Sequence, residues 1–487
     1  GDKKLFLDIE TTEIVNGHGL PNKIFCLVTI CDEGNIVCYA PNDLHKFQND
    51  AKNYQEFIGH NIIGFDAPVI KKVLGIDLFK MGKVTDTLIL SRLFKPVREG
   101  GHSLRAYGIK FGYNKIDFKD FSEFSLEMLE YCIQDVEVTH TLYQKILGQK
   151  IFNESLDIEH AVAELISRQE IYGVMFDKEK ATKLYAELSS ERDTIKQEME
   201  ETFKPITIKR VSEKTGKPLK DKVVEFNPSS RRQIADRLKT KYNWKPVVFT
   251  NDGLPKVDDT VLNSLDFPEA KLLARYFLLE KRIGMLAEGK QAYLKLETKG
   301  RLHGTVNTNN AVTGRATHMH PNLGQVPAVS VPYGKQFREL FTVPKNKSLV
   351  GCDVSGLELR ILGHYIAKFD NGAYADVVVN GDIHTENQKL AGLDTRDQSK
   401  RFLYAWLYGA GVSKIAEVTG KSNKEAAQVK KRFLNRLPAL SKLIKQVQLS
   451  AERGYLVGLD KRHIKIRNAF SALNSLLQGA GAVVCKQ

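Results

Sequence analysis

The sequence has few cysteines, and those it has follow no pattern. Cys26, Cys31, Cys38, Cys132, Cys352 and Cys485 form no C-x-x-C pair and no regular spacing. That argues against a disulfide framework and a structural zinc site, and for reduced thiols in a cytosolic compartment. Long apolar runs are also missing: none approaches the roughly 18–20 residues that span a bilayer. The first thirty residues carry acids where a signal peptide would be basic and then apolar. A soluble, non-secreted chain is expected. Internal repeats are absent as well, which excludes solenoid and propeller architectures.

What the sequence does have is length and an uneven charge. Its 487 residues, 42% of them hydrophobic, can build two to four ordinary cores. The net charge is +14. Residues 1–150 hold 18 Lys and Arg against 20 Asp and Glu, so the whole basic excess lies beyond residue 150. Lysines and arginines displace counterions from nucleic acid, so a phosphate-rich partner held by the later part would account for this. Solubility alone would account for it equally.

Lys4–Glu10 (KLFLDIE) reads as an apolar strand ending in acids, with Ile24–Cys31 and Asn35–Ala40 as the next strands of a meander. A helix is expected over Ser125–Leu147, which makes the first 150 residues an α/β unit. From Ser155 to Leu296 the pattern is mostly helical, broken by the basic stretch Lys204–Lys222, read as an exposed loop or tip. A strand pair is expected around Leu302–Val306 and Ser348–Asp353, with helices from Leu357 onward.

Two groups of residues carry chemistry. In the first, Asp8 and Glu10 are two apart at a strand end and point to one face. Asp66 closes the segment Asn61–Asp66, and Tyr131 and Asp135 are four apart on one helix face. Four carboxylates offer the hard oxygen ligands that suit Mg²⁺ or Mn²⁺, and two such ions can activate water against a phosphodiester. Taken singly, an Asp-x-Glu is usually a solvated strand edge and a Tyr/Asp pair a surface feature. In this order within one α/β unit they resemble the exonuclease motifs of the DEDD proofreading family, in its tyrosine-containing form. The resemblance implies an RNase H-like mixed sheet, Asp8, Glu10, Asp66 and Asp135 as metal ligands, and Tyr131 orienting the attacking water.

In the second group, Asp353 ends the apolar segment SLVGC and Glu358 follows in the next helix. Arg396, Lys400, Tyr404 and Tyr408 then recur every four residues up to Gly409, a single helix stripe with a stop. Cations at its start suit a triphosphate, and a ring in the middle suits a base or sugar. An amphipathic surface helix would give the same stripe. Together with Val312-Thr-Gly-Arg315, Pro321–Pro327, Gly381-Asp-Ile-His384 and Leu473–Gln478, these segments resemble family A, DNA polymerase I-like, replicative polymerases of short-tailed phages.

The resemblance implies an α+β right hand of palm, thumb and fingers, acting on primer-template DNA and dNTPs with Mg²⁺ or Mn²⁺, two ions per active site. By it, Asp353 and the Val354 carbonyl bind metal, while His384, Arg396 and Lys400 hold the triphosphate, Lys400 counting also as catalytic. Tyr404 packs on the incoming sugar and admits dideoxynucleotides, and Glu358 excludes a 2′-hydroxyl. Arg315, Gln325, Asn474 and Gln478 read minor-groove acceptors common to all base pairs, and Tyr408 joins the DNA-binding set. The implied domains are exonuclease 1–150, palm start 151–180, thumb 181–290 with its tip at 204–222, palm 291–365, fingers 366–470 and further palm 471–487.

Two features depart from the family. The short basic tip stands where phage relatives carry a large thumb insertion, so thioredoxin is not expected as a partner. A His-Asp-Glu segment with the second metal aspartate is not found before Gln487. An incomplete palm is therefore expected: either the sequence is cut short of that segment, or the gene is split and a second polypeptide completes the palm, which is the reading preferred at this point. A helicase-primase is a further implied partner, and the cytoplasm of a phage-infected bacterium the implied location. A stand-alone 3′→5′ DNA exonuclease with a duplex-binding polymerase remnant remains the alternative at this point, and a non-catalytic scaffold a third reading.

Overall fold

The computed structural model describes residues 1–13, 19–114, 116–147, 149 and 153–487. The expected boundary at residues 150 and 151 lies outside them. The chain divides into two compact units. The first comprises Gly1–Tyr172, Val306–Thr317 and Val350–Gln487, and the second Gly173–Thr305 and His318–Leu349.

The first unit opens with a five-stranded mixed sheet of β1 (Lys4–Thr11), β2 (Ile24–Cys31), β3 (Ile36–Tyr39), β4 (Glu56–Gly59) and β5 (Lys83–Asp86), ordered β3-β2-β1-β4-β5. The meander β1-β2-β3 is antiparallel, while β4 and β5 run parallel to β1. Central β1 is covered on both faces, which explains its near-continuous apolar run. Leu5, Leu7 and Ile9 enter one core, and Phe6 enters another that includes Cys132 and Val136 of the Leu126–Leu147 helix. Alternation therefore turns Asp8 and Glu10, like Phe6, toward that helix.

Beyond residue 350 the first unit is mostly helical, with one short hairpin of Tyr455–Val457 and His463–Lys465, around a core that draws on Leu362, Phe402, Leu403, Phe433, Leu440 and Leu477. Local chemistry sets the helix starts. Thr395 and Gln398 form a capping box before the Arg396–Leu407 helix, and Ser422 and Glu425 do the same before Asn423–Arg436. Asp382 caps Ile383–Ala391 by accepting from the His384 and Thr385 N–H groups.

The second unit packs the Lys178–Thr202, Arg231–Tyr242 and Pro268–Ile283 helices around Leu188, Leu238, Leu273 and Leu279. A short antiparallel sheet joins Val174–Phe176 to Arg301–Leu302 on one side and Phe341–Thr342 on the other. The basic stretch expected as a loop is exposed, but it is a two-stranded hairpin, Ile206–Val211 with Pro218–Val224. Alternating β-branched residues (Ile206, Ile208; Val223 opposite Thr207) favour strands over coil there.

The largest difference from expectation is Ser348–Asp353, which forms no strand. Leu349 and Val350 are 74% and 87% exposed in coil. Among the described residues no strand pairs with this segment, and an apolar strand without a ladder partner has neither backbone hydrogen bonds nor a face to bury. Of the expected partner, Leu302–Val306, Leu302 pairs with Val174 instead, in the strand Arg301–Leu302.

Candidate functional site

The four acids of the first constellation come from three elements. Asp8 and Glu10 stand on β1, just before a register shift at Glu10/Thr11. Asp66 ends a wide helical turn, Ile62–Asp66, that runs into the Ala67–Leu74 helix, and Asp135 lies on Leu126–Leu147. Ligand atoms of Asp8, Glu10 and Cys132 all lie within 4.8 Å of one another.

Burial and mutual repulsion act on the whole group. The Asp8 carboxyl is held far above the usual range by burial, then by Asp66, Asp135 and Glu10. Burial first, then Asp135, Cys26 and Asp66, push Glu10 up to about 9. Burial raises Asp135 to about 7, and burial with Asp86 and Asp135 raises Asp66. The Tyr131 phenol is also pushed up, by burial and then by Asp135, Glu10 and Asp8, so its hydroxyl faces the same group. Its ring packs 5.8 Å from Phe118 and 6.2 Å from Phe121.

Such a cluster fits divalent cations. Asp66 Oδ2 is buried with no hydrogen-bond partner, and crowded carboxylates lose their mutual repulsion when a hard cation replaces their protons.

Two neighbours were not legible as site residues. Asp86 accepts the Asn61 and Leu88 N–H groups at 2.9 Å each through Oδ1, and the Ile63 N–H at 3.3 Å through Oδ2. It caps the Thr87–Phe94 helix and holds the turn that delivers Asp66, with Asn61 in the left-handed region at φ 58°. An Asp before a helix signals a cap, but its reach to residue 63 depends on the β4/β5 pairing. Cys132 lies under β1, its thiol 3.5 Å from the Asp8 carbonyl.

The second constellation converges partly. The Arg396–Leu407 helix carries Arg396, Lys400 and Tyr404 on one stripe, Tyr408 caps it, and Gly409 follows at φ +80°. The His384 ring stands 6.0 Å from Tyr404. Burial, then Arg396 and Lys400, lower the His384 pKa, which puts both cations within its field. Arg396 Nε reaches Asp382 Oδ2 at 2.8 Å, a half-exposed pair that an anionic ligand can displace at little cost.

Tyr408 donates its hydroxyl to Glu358 Oε1 at 3.1 Å, and the Arg315 guanidinium lies 6.0 Å from the Tyr408 ring centre. Asn474 Nδ2 donates to the Trp406 and Leu407 carbonyls at 3.0 and 2.5 Å, and Gln478 follows one turn later on the same helix. Gln325 lies in the Leu323–Gln325 turn of the second unit. Asp353 and Val354 are exposed in the coil before the Leu357–Asp370 helix, which carries Glu358 in its first turn.

Comparison with solved structures defines the class. The whole chain superposes on 84% of the POL domain of Pol1 from M. smegmatis, solved with DNA primer-template and dNTP, at a TM-score of 0.72 and 16% identity. Its fold is that of a polymerase domain. The sequence profile of DNA polymerase family A matches residues 187–487. The DNA-directed DNA polymerases of Enterobacteria phage T3 and Escherichia phage T7 are each 33% identical, over 93% and 92% of this chain and 85% and 84% of their own lengths. The chain belongs to DNA polymerase family A.

Proposed function

We propose that this family A polymerase is a template-directed DNA polymerase of the phage replicative kind that also proofreads, through a 3′→5′ exonuclease built on Asp8, Glu10, Asp66, Asp135 and Tyr131. The observation that carries the exonuclease reading is the group of four carboxylates, Glu10 and Asp66 buried and Asp8 and Asp135 half-buried, with Asp66 Oδ2 unpartnered. Bound Mg²⁺ or Mn²⁺ would supply a nucleophilic hydroxide and stabilise the leaving 3′-oxygen. Asp8, Glu10, Asp66 and Asp135 would hold the cations by their carboxylate oxygens. Tyr131, protonated at neutral pH, can hold the attacking water by its hydroxyl.

For synthesis, Arg396 and Lys400 form the cationic end that binds the triphosphate, with the His384 ring beside them as a hydrogen-bonding group and Arg396 exchanging Asp382 for phosphate. Tyr404 packs against the sugar, and Glu358, held by Tyr408, occupies the space of a 2′-hydroxyl. Arg315, Gln325, Asn474 and Gln478 serve the primer-template minor groove. Asp353 and the Val354 carbonyl, exposed ahead of the Leu357–Asp370 helix, would hold the metal ions for synthesis.

The test is degradation of 3′-labelled single-stranded DNA by the purified chain with Mg²⁺ or Mn²⁺. Digestion from the 3′ end is expected. The double variant Asp8→Ala, Glu10→Ala is expected to lose it by about 10³-fold or more, the scale of two-metal chemistry without its ligands. Undiminished digestion by that variant would remove the exonuclease assignment.

A further inference from the structure

A buried ion cluster in the first unit is used by neither of these sites. Glu159 is fully buried on the Asn153–Tyr172 helix. Its Oε1 pairs with Arg462 Nη1 at 2.8 Å and accepts from Lys486 Nζ at 2.6 Å, while Oε2 is buried without a hydrogen-bond partner. Arg462 Nε lies 2.9 Å from both Asp460 oxygens and Nη2 lies 2.6 Å from Oδ2. Ser155 Oγ donates to the Asp460 carbonyl at 2.7 Å.

Two anions and two cations balance, yet desolvating them makes such a cluster a poor source of stability compared with apolar packing. Its value lies in fixing one arrangement, and both cations reach past Glu159 to the same loop. Lys486 Nζ also donates to the Gly314 carbonyl at 2.6 Å, and Arg462 Nη1 donates to Asn309 Oδ1 at 3.3 Å. Gly314 has φ +85°, and a Cβ there would stand 2.7 Å from Arg462 Nη1, so the loop rests directly on the guanidinium. The loop closes on itself through Gly314 N–H to the Ala311 carbonyl at 2.9 Å and Ala311 N–H to the Arg315 carbonyl at 3.1 Å. Arg315 is the residue it delivers to Tyr408.

We propose that Glu159 is a positioning residue for DNA synthesis: by gathering Arg462 and Lys486 on one oxygen it fixes the 309–315 loop, and so aims Arg315 at the minor-groove acceptor of the primer-terminal pair. This rests on the reading of Arg315 as a minor-groove contact. Without the carboxylate, two buried like charges repel and release the loop.

The experiment is equilibrium binding of a primer-template to the full chain, without divalent cations so that the primer stays intact. The terminal primer base is guanine or 3-deazaguanine, in which C–H replaces the N3 acceptor. The unaltered protein is expected to bind the deaza duplex about tenfold more weakly or worse, the size of a charge-assisted hydrogen bond, and Arg315→Ala is expected to show no such penalty. Glu159→Gln keeps the shape and removes the charge. It is expected to unfold thermally as a folded protein and to bind the guanine duplex, but with a deaza penalty below about twofold. Glu159→Asp, which keeps the charge, is expected to return part of the penalty, an effect that packing alone would not give. Lys486→Met serves as the second variant if Glu159→Gln does not fold. A penalty that persists in the folded variants overturns the positioning role alone. No penalty in the unaltered protein overturns the Arg315 reading, and the proposal with it.

Discussion

Tyr404 illustrates what a single atom can decide. Burial, then Glu358 and Tyr408, raise its pKa, so the phenol stays protonated and can donate a hydrogen bond. On the proposed reading its hydroxyl lies near the incoming sugar and can fill the space left by a missing 3′-hydroxyl. An active preparation should then terminate readily with dideoxynucleotides. Tyr404→Phe should favour deoxynucleotides over dideoxynucleotides by about tenfold or more, the scale of one lost polar contact in a desolvated site. Competitive incorporation assays measure this ratio directly. Equal ratios for the two proteins would count against the role given to Tyr404. Asp86 shows the same economy at the acidic cluster on β1, where one carboxylate accepts three N–H groups and sets the turn before Asp66.

Strand β1 and the Leu126–Leu147 helix press the acids together, and their packing makes stability depend on pH. Glu10 is raised to about 9 and Asp135 to about 7, against unfolded values of roughly 4.3 and 3.9. Between those values the folded protein binds more protons than the unfolded chain, so stability is greatest at low pH and is lost as pH rises through the folded values. Without divalent ions the thermal midpoint should fall between about pH 5.5 and 9. Mg²⁺ or Mn²⁺, binding the folded form alone, should remove much of that fall. Glu10→Gln should flatten the dependence in the cation-free protein. A midpoint indifferent to both pH and cation would contradict the packing argument.

At the scale of the whole molecule, Ser348–Val354 is coil, with Leu349 and Val350 exposed ahead of Asp353. On the proposed reading Asp353 holds metal for synthesis. In an active preparation with the acidic cluster on β1 inactivated, Asp353→Ala should lower primer extension by about 10³-fold or more, the scale of two-metal chemistry without a ligand. Extension of a labelled primer measures this, and an undiminished rate would count against the metal role given to Asp353.

Sequence by itself determined the strands that carry Asp8 and Glu10, the helix that carries Tyr131 and Asp135, and the stripe from Arg396 to Tyr408. In each case a period of two or of four residues fixes which side chains share a face. It also determined the family. It did not determine the state of Ser348–Asp353, because an apolar run reads as a strand whether or not a neighbouring strand exists to pair with it. Nor did it reveal Asp86 or Glu159. Each is a single acid on an otherwise ordinary helix end or helix face, and its meaning comes from partners 23 to 327 residues away. Only the tertiary structure brings those partners within hydrogen-bonding distance, since burial makes a charge depend on whatever the fold places beside it.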